Sequence, residues 1–409
     1  MKSLNRLIAT EWKGNVLTAL WTDGQISRLS LDGKASPSLV NQIYVGKVKN
    51  IVKNIDAAFV EFGDGLTGYY SLAENPKHLR VSGTCAPDAP LKVGDELVVQ
   101  VSKDAVKTKA PVLTGKISLS GRYAVLTKGK NGLAFSSKIT DREWKEQMRE
   151  RFSGRIPDGC SLIIRTNAYG MPAEILEHDV TRLENQLDSL LAEAGYRTCG
   201  SRLDKNLPSW LAGIRDLNSG MADEILTDQE DLFEELKRYL GEYQKEDLGK
   251  LRFYEDRLLP LSKLYSLDTV MERALSRQVW LKSGGYLVID PTEAMTVIDV
   301  NTGKYSGKKN SAETIRMINL EAAEEIGRQM SLRNLSGIIL VDFIDMDKKE
   351  NREELLERMR EICRRDPIRT TVVDMTALNL MEITRKKLKK PLMEMAAAAE
   401  RSAGNRENP

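Results

Sequence analysis

Met295-Thr296-Val297-Ile298-Asp299-Val300-Asn301 and Gly337-Ile338-Ile339-Leu340-Val341-Asp342-Phe343 are the two segments on which the reading of this chain turns. Each is an apolar, strand-like run with an aspartate at its end, and a carboxylate buried in such a run costs several kcal/mol unless it is paired or metal-bound. Between them lie a basic loop, Lys304-Tyr305-Ser306-Gly307-Lys308-Lys309, and a helical segment that Ser311 can N-cap, with Glu313, Glu321, Glu324 and Glu325 on it. The order is strand, basic loop, helix, strand. If the helix crosses over between parallel strands, right-handed connectivity brings Asp299 and Asp342 to the same edge of one sheet.

Two carboxylates converging there form an oxygen-rich site for a hard divalent cation. Magnesium takes one or two protein carboxylates, keeps several waters and completes its shell with phosphate oxygens, which the basic loop could hold. Side chains alternate along a strand, so Asn301 faces the same side as Asp299 and could hydrogen-bond a metal-bound water or a phosphate oxygen. Asp345, three positions beyond Asp342, is expected to point away if the strand stays extended. The alternative is a pair of strand-end aspartates that cap loops or pair with Lys304 and Lys308. The run from Gly303 to Lys309 is not a nucleotide-binding loop. It has three residues between its glycines where such a loop needs four, and Lys309 stands where Ser or Thr would bind magnesium.

Composition narrows the classes. A chain of 409 residues is too long for one small core and suits about two to four domains. With 41% hydrophobic and 29% charged residues it reads as soluble and globular. No run approaches the ~18 apolar residues of a membrane span, and Met1 to Thr10 lacks a secretory apolar region, so a cytoplasmic protein with no membrane span is expected. Cys85, Cys160, Cys199 and Cys363 are far apart and form no Cys-x-x-Cys pair, which argues for reduced structural thiols over a zinc cluster or a disulfide framework. His78 and His178, in polar settings, read as ordinary surface residues, so a histidine-centred hydrolase or ribonuclease would be hard to build. A net charge of +2 means that any nucleic-acid binding is local.

Residues 1 to about 36 read as short strands with turns at Asp23-Gly24 and Asp32-Gly33-Lys34. From 37 to about 117, five short strands with glycine turns fit an OB-fold, the last of them near Leu113. On such a barrel the aromatics Phe59, Tyr69 and Tyr70 could stack on bases while Lys47, Lys49 and Lys53 follow phosphates, although Phe59 or Tyr69 could equally be core. Residues 118 to 210 form a second mixed unit, with a strand over 161–166 and a long helix from about Met171 to Gly195. Its Arg165-Thr166 pair could grip a phosphate bidentately with a hydroxyl beside it. Residues 211 to about 270 read as mostly amphipathic helix, followed by a hairpin over 279–290, a helix near 350–365, and the basic run Arg385 to Lys390.

Ile298-Asp299-Val300-Asn301, Asn319-Leu320-Glu321-Ala322-Ala323-Glu324-Glu325-Ile326, Val341-Asp342-Phe343-Ile344-Asp345-Met346 and Met381-Glu382-Ile383-Thr384-Arg385-Lys386 together resemble the bacterial ribonuclease E/G family. Ala57-Ala58-Phe59-Val60 and Leu162-Ile163-Ile164-Arg165-Thr166 resemble its barrel and 5′-sensor motifs, and the resemblance runs from about 1 to 395. It implies an α+β multidomain protein in which an OB-fold barrel (37–117) and a 5′-sensor domain (118–210) are inserted into an RNase H-like domain (1–36 and 211–273). A deoxyribonuclease-I-like α/β catalytic domain (274–395) and a tail (396–409) would follow.

The activity it implies is a magnesium-dependent endoribonuclease that cuts single-stranded RNA to 5′-phosphate and 3′-hydroxyl ends, in rRNA processing and mRNA decay. The rival reading is a non-catalytic RNA-binding or assembly factor. By the same resemblance, Asp299 and Asp342 bind Mg2+ with Asn301 assisting, Phe59, Tyr69 and Lys109 contact RNA, and Arg165 and Thr166 hold a 5′-monophosphate with Val125 beneath the terminal base. Three departures qualify it. Ser137 stands at a usual arginine, Ala377-Leu378-Asn379 at an arginine-phenylalanine-glycine run, and no paired-cysteine zinc motif follows Arg385, so a homo-oligomer would form without a zinc link.

Overall fold

The computed structural model describes residues 4–33, 39–81, 86–105, 109–204, 208–216, 221–256, 258–303, 311–376, 378–387 and 390–407, with side chains left aside at 209, 311 and 402–407. The basic loop from Lys304 to Lys309, the Ser311 side-chain cap, Lys34, Cys85, Ala377 and Lys389 therefore lie outside the described residues. The chain divides into two compact units, 37–219 and 1–36 with 220–409.

In the 37–219 unit, Ile43–Val52, Ala57–Phe62, Leu66–Ser71, Val112–Thr114 and Glu96–Lys103 pair in that spatial order and close into a five-stranded barrel. Closure needs glycine at two crowded places: a Cβ at Gly46 would sit 2.6 Å from Val60 Cγ1, and one at Gly68 would sit 2.5 Å from Leu113 Cγ. Strand alternation then sorts the aromatics. Ala58, Tyr70, Leu113 and Val101 face one another in a fully buried inner row, so Tyr70 belongs to the core rather than to a stacking surface. His78, expected at the surface, is buried instead, with Nδ1 3.1 Å from the Tyr70 hydroxyl. The loop after Ser71 carries it there, anchored by the His78 amide on the Pro87 carbonyl. His178 is exposed.

The rest of this unit is a sheet in the order Gly132–Phe135, Cys160–Ile164, Ala124–Lys128, Ser118–Ser120, backed by the helices Arg142–Phe152 and Ala173–Ala194. Leu176, Val180, Leu183, Leu187 and Leu190 recur at helical spacing on the long helix and face the core. The expected strand over 161–166 stops at Ile164, because Thr166–Ala168 turns as a 3₁₀ helix.

The other unit holds two sheets. Arg6–Trp12, Asn15–Thr22 and Gln25–Asp32 form the expected meander, with Asp23 and Gly24 at positive φ in the second turn. Glu224–Thr227 and Leu251–Phe253 add to it in parallel, two short strands set among the helices expected over 211–270. Strands of four and three residues are too short for their alternation to stand out in the sequence. The alanine-rich segment read as a tail is part of a helix, Leu392–Glu407, whose Leu392, Ala396 and Ala399 are buried in the core beneath this sheet.

The second sheet runs Gln278–Trp280, Tyr286–Pro291, Met295–Asn301, Gly337–Asp342, Leu380–Arg385, Thr370–Met375. Ile298, Val300, Ile339 and Val341 pack against the helices Ser311–Leu332 and Lys349–Arg365 through Ala322, Ile326, Leu355 and Met359. The opposite face is open at Val297, Asp299, Ile338 and Asp342. Arg385, the first residue of the basic run, is buried and ion-paired with Asp366, Nε to Oδ2 2.7 Å, because the strand alternation turns it inward. Among the described residues, no helix is long and apolar enough to cross a membrane.

Candidate metal centre and nucleic-acid interfaces

Met295–Asn301 and Gly337–Asp342 are parallel neighbours joined through the Ser311–Leu332 helix, and Asp299 faces Asp342 directly in register. Both carboxylates stand on the open face and are exposed. This corrects the premise that the strands bury them: the sheet is covered by helices on one face, and alternation sends Ile298 and Val300 inward and Asp299 outward. Asn301 donates through Nδ2 to Asp299 Oδ2 at 2.8 Å, so the two side chains share a face.

Asp345 also gathers here, against the expectation that it would point away. The strand ends at Asp342, and the chain then turns under the control of Asn319, a fully buried residue of the Ser311–Leu332 helix. Asn319 donates to the Ile344 carbonyl at 2.7 Å and accepts from the Ile344 amide at 3.1 Å, so one side chain satisfies both backbone groups. Asn379 donates to Asp345 Oδ1 at 3.2 Å from a turn position with φ of 61°. Asparagine tolerates that left-handed geometry, which explains how it serves in the turn just ahead of Leu380–Arg385. Partial burial first, then the charges of Asp299 and Asp345, hold the Asp342 carboxyl above the usual carboxylate range.

Opposite Asn301, the hairpin turn is held by Glu321, whose carboxylate accepts from the Lys282 amide at 2.7 Å and the Ser283 amide at 3.2 Å. The donor set at the aspartates is all oxygen, and a nearby cation would relieve the mutual repulsion of its members. Among the described residues no group of three or more His, Cys, Asp or Glu is arranged as a metal cage. Two carboxylates suit an ion that keeps water and takes phosphate oxygens.

The barrel presents a second surface. Asn50, Phe59, Tyr69, Val112 and Lys103 face one another in an outward row. Phe59 and Tyr69 are half-buried, with ring centroids 6.3 Å apart in an edge-to-face pair. Lys109 is exposed just ahead of the Val112–Thr114 strand, whose lead-in pairs with the Tyr69 amide through the Pro111 carbonyl. Two of the lysines read as phosphate contacts have carboxylate partners: Lys47 with Glu96 at 3.7 Å and Lys49 with Glu61 at 3.1 Å.

The structure brings Arg165 and Thr166 together at the end of the Cys160–Ile164 strand. Arg165 Nη1 donates to the Gly121 carbonyl at 2.8 Å and to Asp216 Oδ1 at 2.9 Å. Thr166 Oγ1 lies 2.8 Å from the Ser136 hydroxyl, while Ser137 is exposed. Val125 pairs with Ile163, which is 39% exposed, giving a small apolar surface nearby. A second guanidinium missed in the sequence, Arg215, also reaches Asp216 Oδ1, at 3.0 Å. Burial alone would raise the Asp216 carboxyl, yet Arg215 and Arg165 more than offset it and hold it below its ordinary value. Two arginines converging on one anion were not visible in the sequence because Arg165 and Asp216 are 51 residues apart.

The sequence model of a family described as the Ribonuclease E/G family matches residues 118–388. Ribonuclease E of Nostoc sp. is 32% identical over 93% of this chain and 55% of its own length, and ribonuclease E of Synechocystis sp. is 33% identical over 94% and 57%. Ribonuclease G of Escherichia coli K12 is 32% identical over 90% of this chain and 77% of its own length. The chain thus spans about half the length of these ribonuclease E relatives.

Proposed function

Because the chain belongs to the ribonuclease E/G family, we propose that it is an endoribonuclease that hydrolyses single-stranded RNA with magnesium, leaving 5′-phosphate and 3′-hydroxyl ends. Its physiological substrates would be rRNA precursors and mRNA. The observation that carries the reading is the direct register of Asp299 and Asp342 on an open sheet face, with Asn301 bonded to the first of them. These two carboxylates would hold the ion. When bound, it would lower the pKa of a water and neutralise charge on the phosphate oxygens.

The chain's own residues do the positioning. Asn301 fixes one oxygen of Asp299, and the amide clamp of Asn319 sets the turn that brings Asp345 beside Asp342. Water is the proposed nucleophile, in keeping with a buried His78 engaged by Tyr70 and an exposed His178 on a helix.

For the architecture, we assign 1–36 with 211–273 to an RNase H-like domain, 37–117 to the OB-fold barrel, 118–210 to the 5′-sensor and 274–395 to a deoxyribonuclease-I-like domain. The union of 6–32 with 224–253 in one sheet supports the first of these. Phe59, Tyr69 and Lys109 would contact RNA, and Arg165, Thr166 and Val125 would form the 5′-phosphate pocket. Asp299→Ala tests the reading: cleavage of a 5′-monophosphorylated oligonucleotide in magnesium should be lost while RNA affinity is kept. A wild-type protein that binds the oligonucleotide and never cuts it would establish the RNA-binding factor instead.

A further inference from the structure

The open face that carries the aspartates also carries an aromatic pair with no part in the chemistry described so far. Trp280 is 65% exposed, an unusual position for so large an apolar ring, and its centroid lies 5.3 Å from that of Tyr286 at an interplanar angle of 55°. Trp280 faces Tyr286 in register, and Tyr286 faces Asn301. Directly opposed side chains on paired strands project to the same face, so Trp280, Tyr286 and Asn301 form one row across three strands. The adjoining positions Leu287 and Val300 are buried on the helix side. Asp299 faces Val288, which makes Tyr286 its diagonal neighbour, a relation that places side-chain origins about 7 Å apart. Trp280 lies one strand farther out, about 4.8 Å. The exposed Lys282 follows in the turn between the two aromatic strands.

An RNA whose phosphodiester sits at Asp299 and Asp342 must lay a flanking nucleotide across this face. Farther back along the two aspartate strands, the exposed apolar groups among the described residues are the aliphatic Val297 and Ile338, which offer no π face. We infer that Trp280 and Tyr286 form a stacking subsite for a nucleobase beside the phosphodiester held at Asp299 and Asp342. The inference rests on the two-aspartate reading of the site. Stacking tolerates any base, so the subsite would secure the strand at the point of cleavage without imposing a sequence.

The test pairs a protein change with a substrate change. A single-stranded oligonucleotide cut at one place is compared with copies that are abasic at each nucleotide flanking the cut, using wild type, Trp280→Ala and Trp280→Phe. At one flanking position, removal of the base should lower the wild-type kcat/KM by about tenfold or more. Trp280→Ala should cause a loss of the same order with the intact oligonucleotide and show no additional loss with that abasic copy, while Trp280→Phe restores most of the activity. A Trp280→Ala loss that is equal for intact and abasic substrates at every position would overturn the subsite, as would a change in sedimentation coefficient showing that the ring packs against a second copy of the chain.

Dissociation constants for the same oligonucleotides, measured in EDTA, separate this inference from the reading beneath it. Coupling between Trp280 and one base together with full cleavage by Asp342→Asn would leave the stacking site standing and refute the aspartate pair. Absence of coupling at every position, with cleavage abolished by Asp342→Asn, would refute the stacking site alone.

Discussion

Arg165 shows how one side chain can be committed before any ligand arrives. Its guanidinium and that of Arg215 both hold Asp216, which occupies their shared anion position. In the proposed pocket, a 5′-phosphate would compete with a carboxylate already bound. Asp216→Asn removes the competitor's charge while keeping its shape, and the expected result is a larger ratio of kcat/KM for 5′-monophosphorylated over 5′-hydroxyl RNA than in wild type, with Arg165→Ala abolishing the ratio. An unchanged ratio in Asp216→Asn would show that the two arginines do not serve the phosphate. On the barrel, Phe59→Ala should weaken RNA binding by about 1–3 kcal/mol with little change in thermal midpoint, since the ring lies in the outward row. A fall in stability with affinity preserved would make Phe59 a packing residue.

At the scale of elements, the helix Ser311–Leu332 does more than connect two parallel strands. Asn319 sends its amide into the turn after Asp342 and supplies the bonds that a further strand would have made. Asn319→Leu leaves the Ile344 amide and carbonyl without partners, which should cost about 1–3 kcal/mol for each group. It should also raise the magnesium concentration needed for half-maximal cleavage, and Asn319→Asp, which keeps the acceptor, should fall between the two. Equal magnesium dependence in all three proteins would mean that the clamp serves stability alone.

The barrel carries its own pH dependence. Burial first, then Arg80, holds the His78 pKa below its ordinary value of about 6.5. The unfolded chain therefore takes up a proton near that pH while the folded barrel does not, so stability is full above about pH 6.5 and declines as pH falls toward the folded pKa. His78→Gln should flatten that decline in the thermal midpoint. A decline of equal slope in the variant would place its origin elsewhere.

Across the whole molecule, what could be read in advance depended on how local the deciding force was. The aspartate pair was legible because a period of two and a right-handed crossover fix where Asp299 and Asp342 end up, and Asn301 follows from the same alternation. Their exposure was not, since nothing in Met295–Asn301 tells how many faces of the sheet are covered. Asp345 came beside Asp342 through the Asn319 bonds to the Ile344 backbone and its own bond from Asn379, which no strand rule contains. His78 and Arg385 went inward to contacts that their own segments do not announce, His78 against the Tyr70 hydroxyl and Arg385 against Asp366. Cys160 and Cys363 matched their reading as quiet thiols: burial raises both, pushing Cys363 up to about 12 and keeping it protonated.

The central claim is that Asp299 and Asp342 together form the catalytic centre, and Asp342→Asn tests it with the least disturbance. The change removes one charge from an exposed pair without opening a cavity, so the fold should be unaffected. Turnover of a 5′-monophosphorylated single-stranded oligonucleotide is measured in saturating magnesium, with RNA affinity and thermal midpoint measured on the same preparation. The account predicts that cleavage is lost while affinity and midpoint hold at their wild-type values; turnover equal to that of the wild type would contradict it.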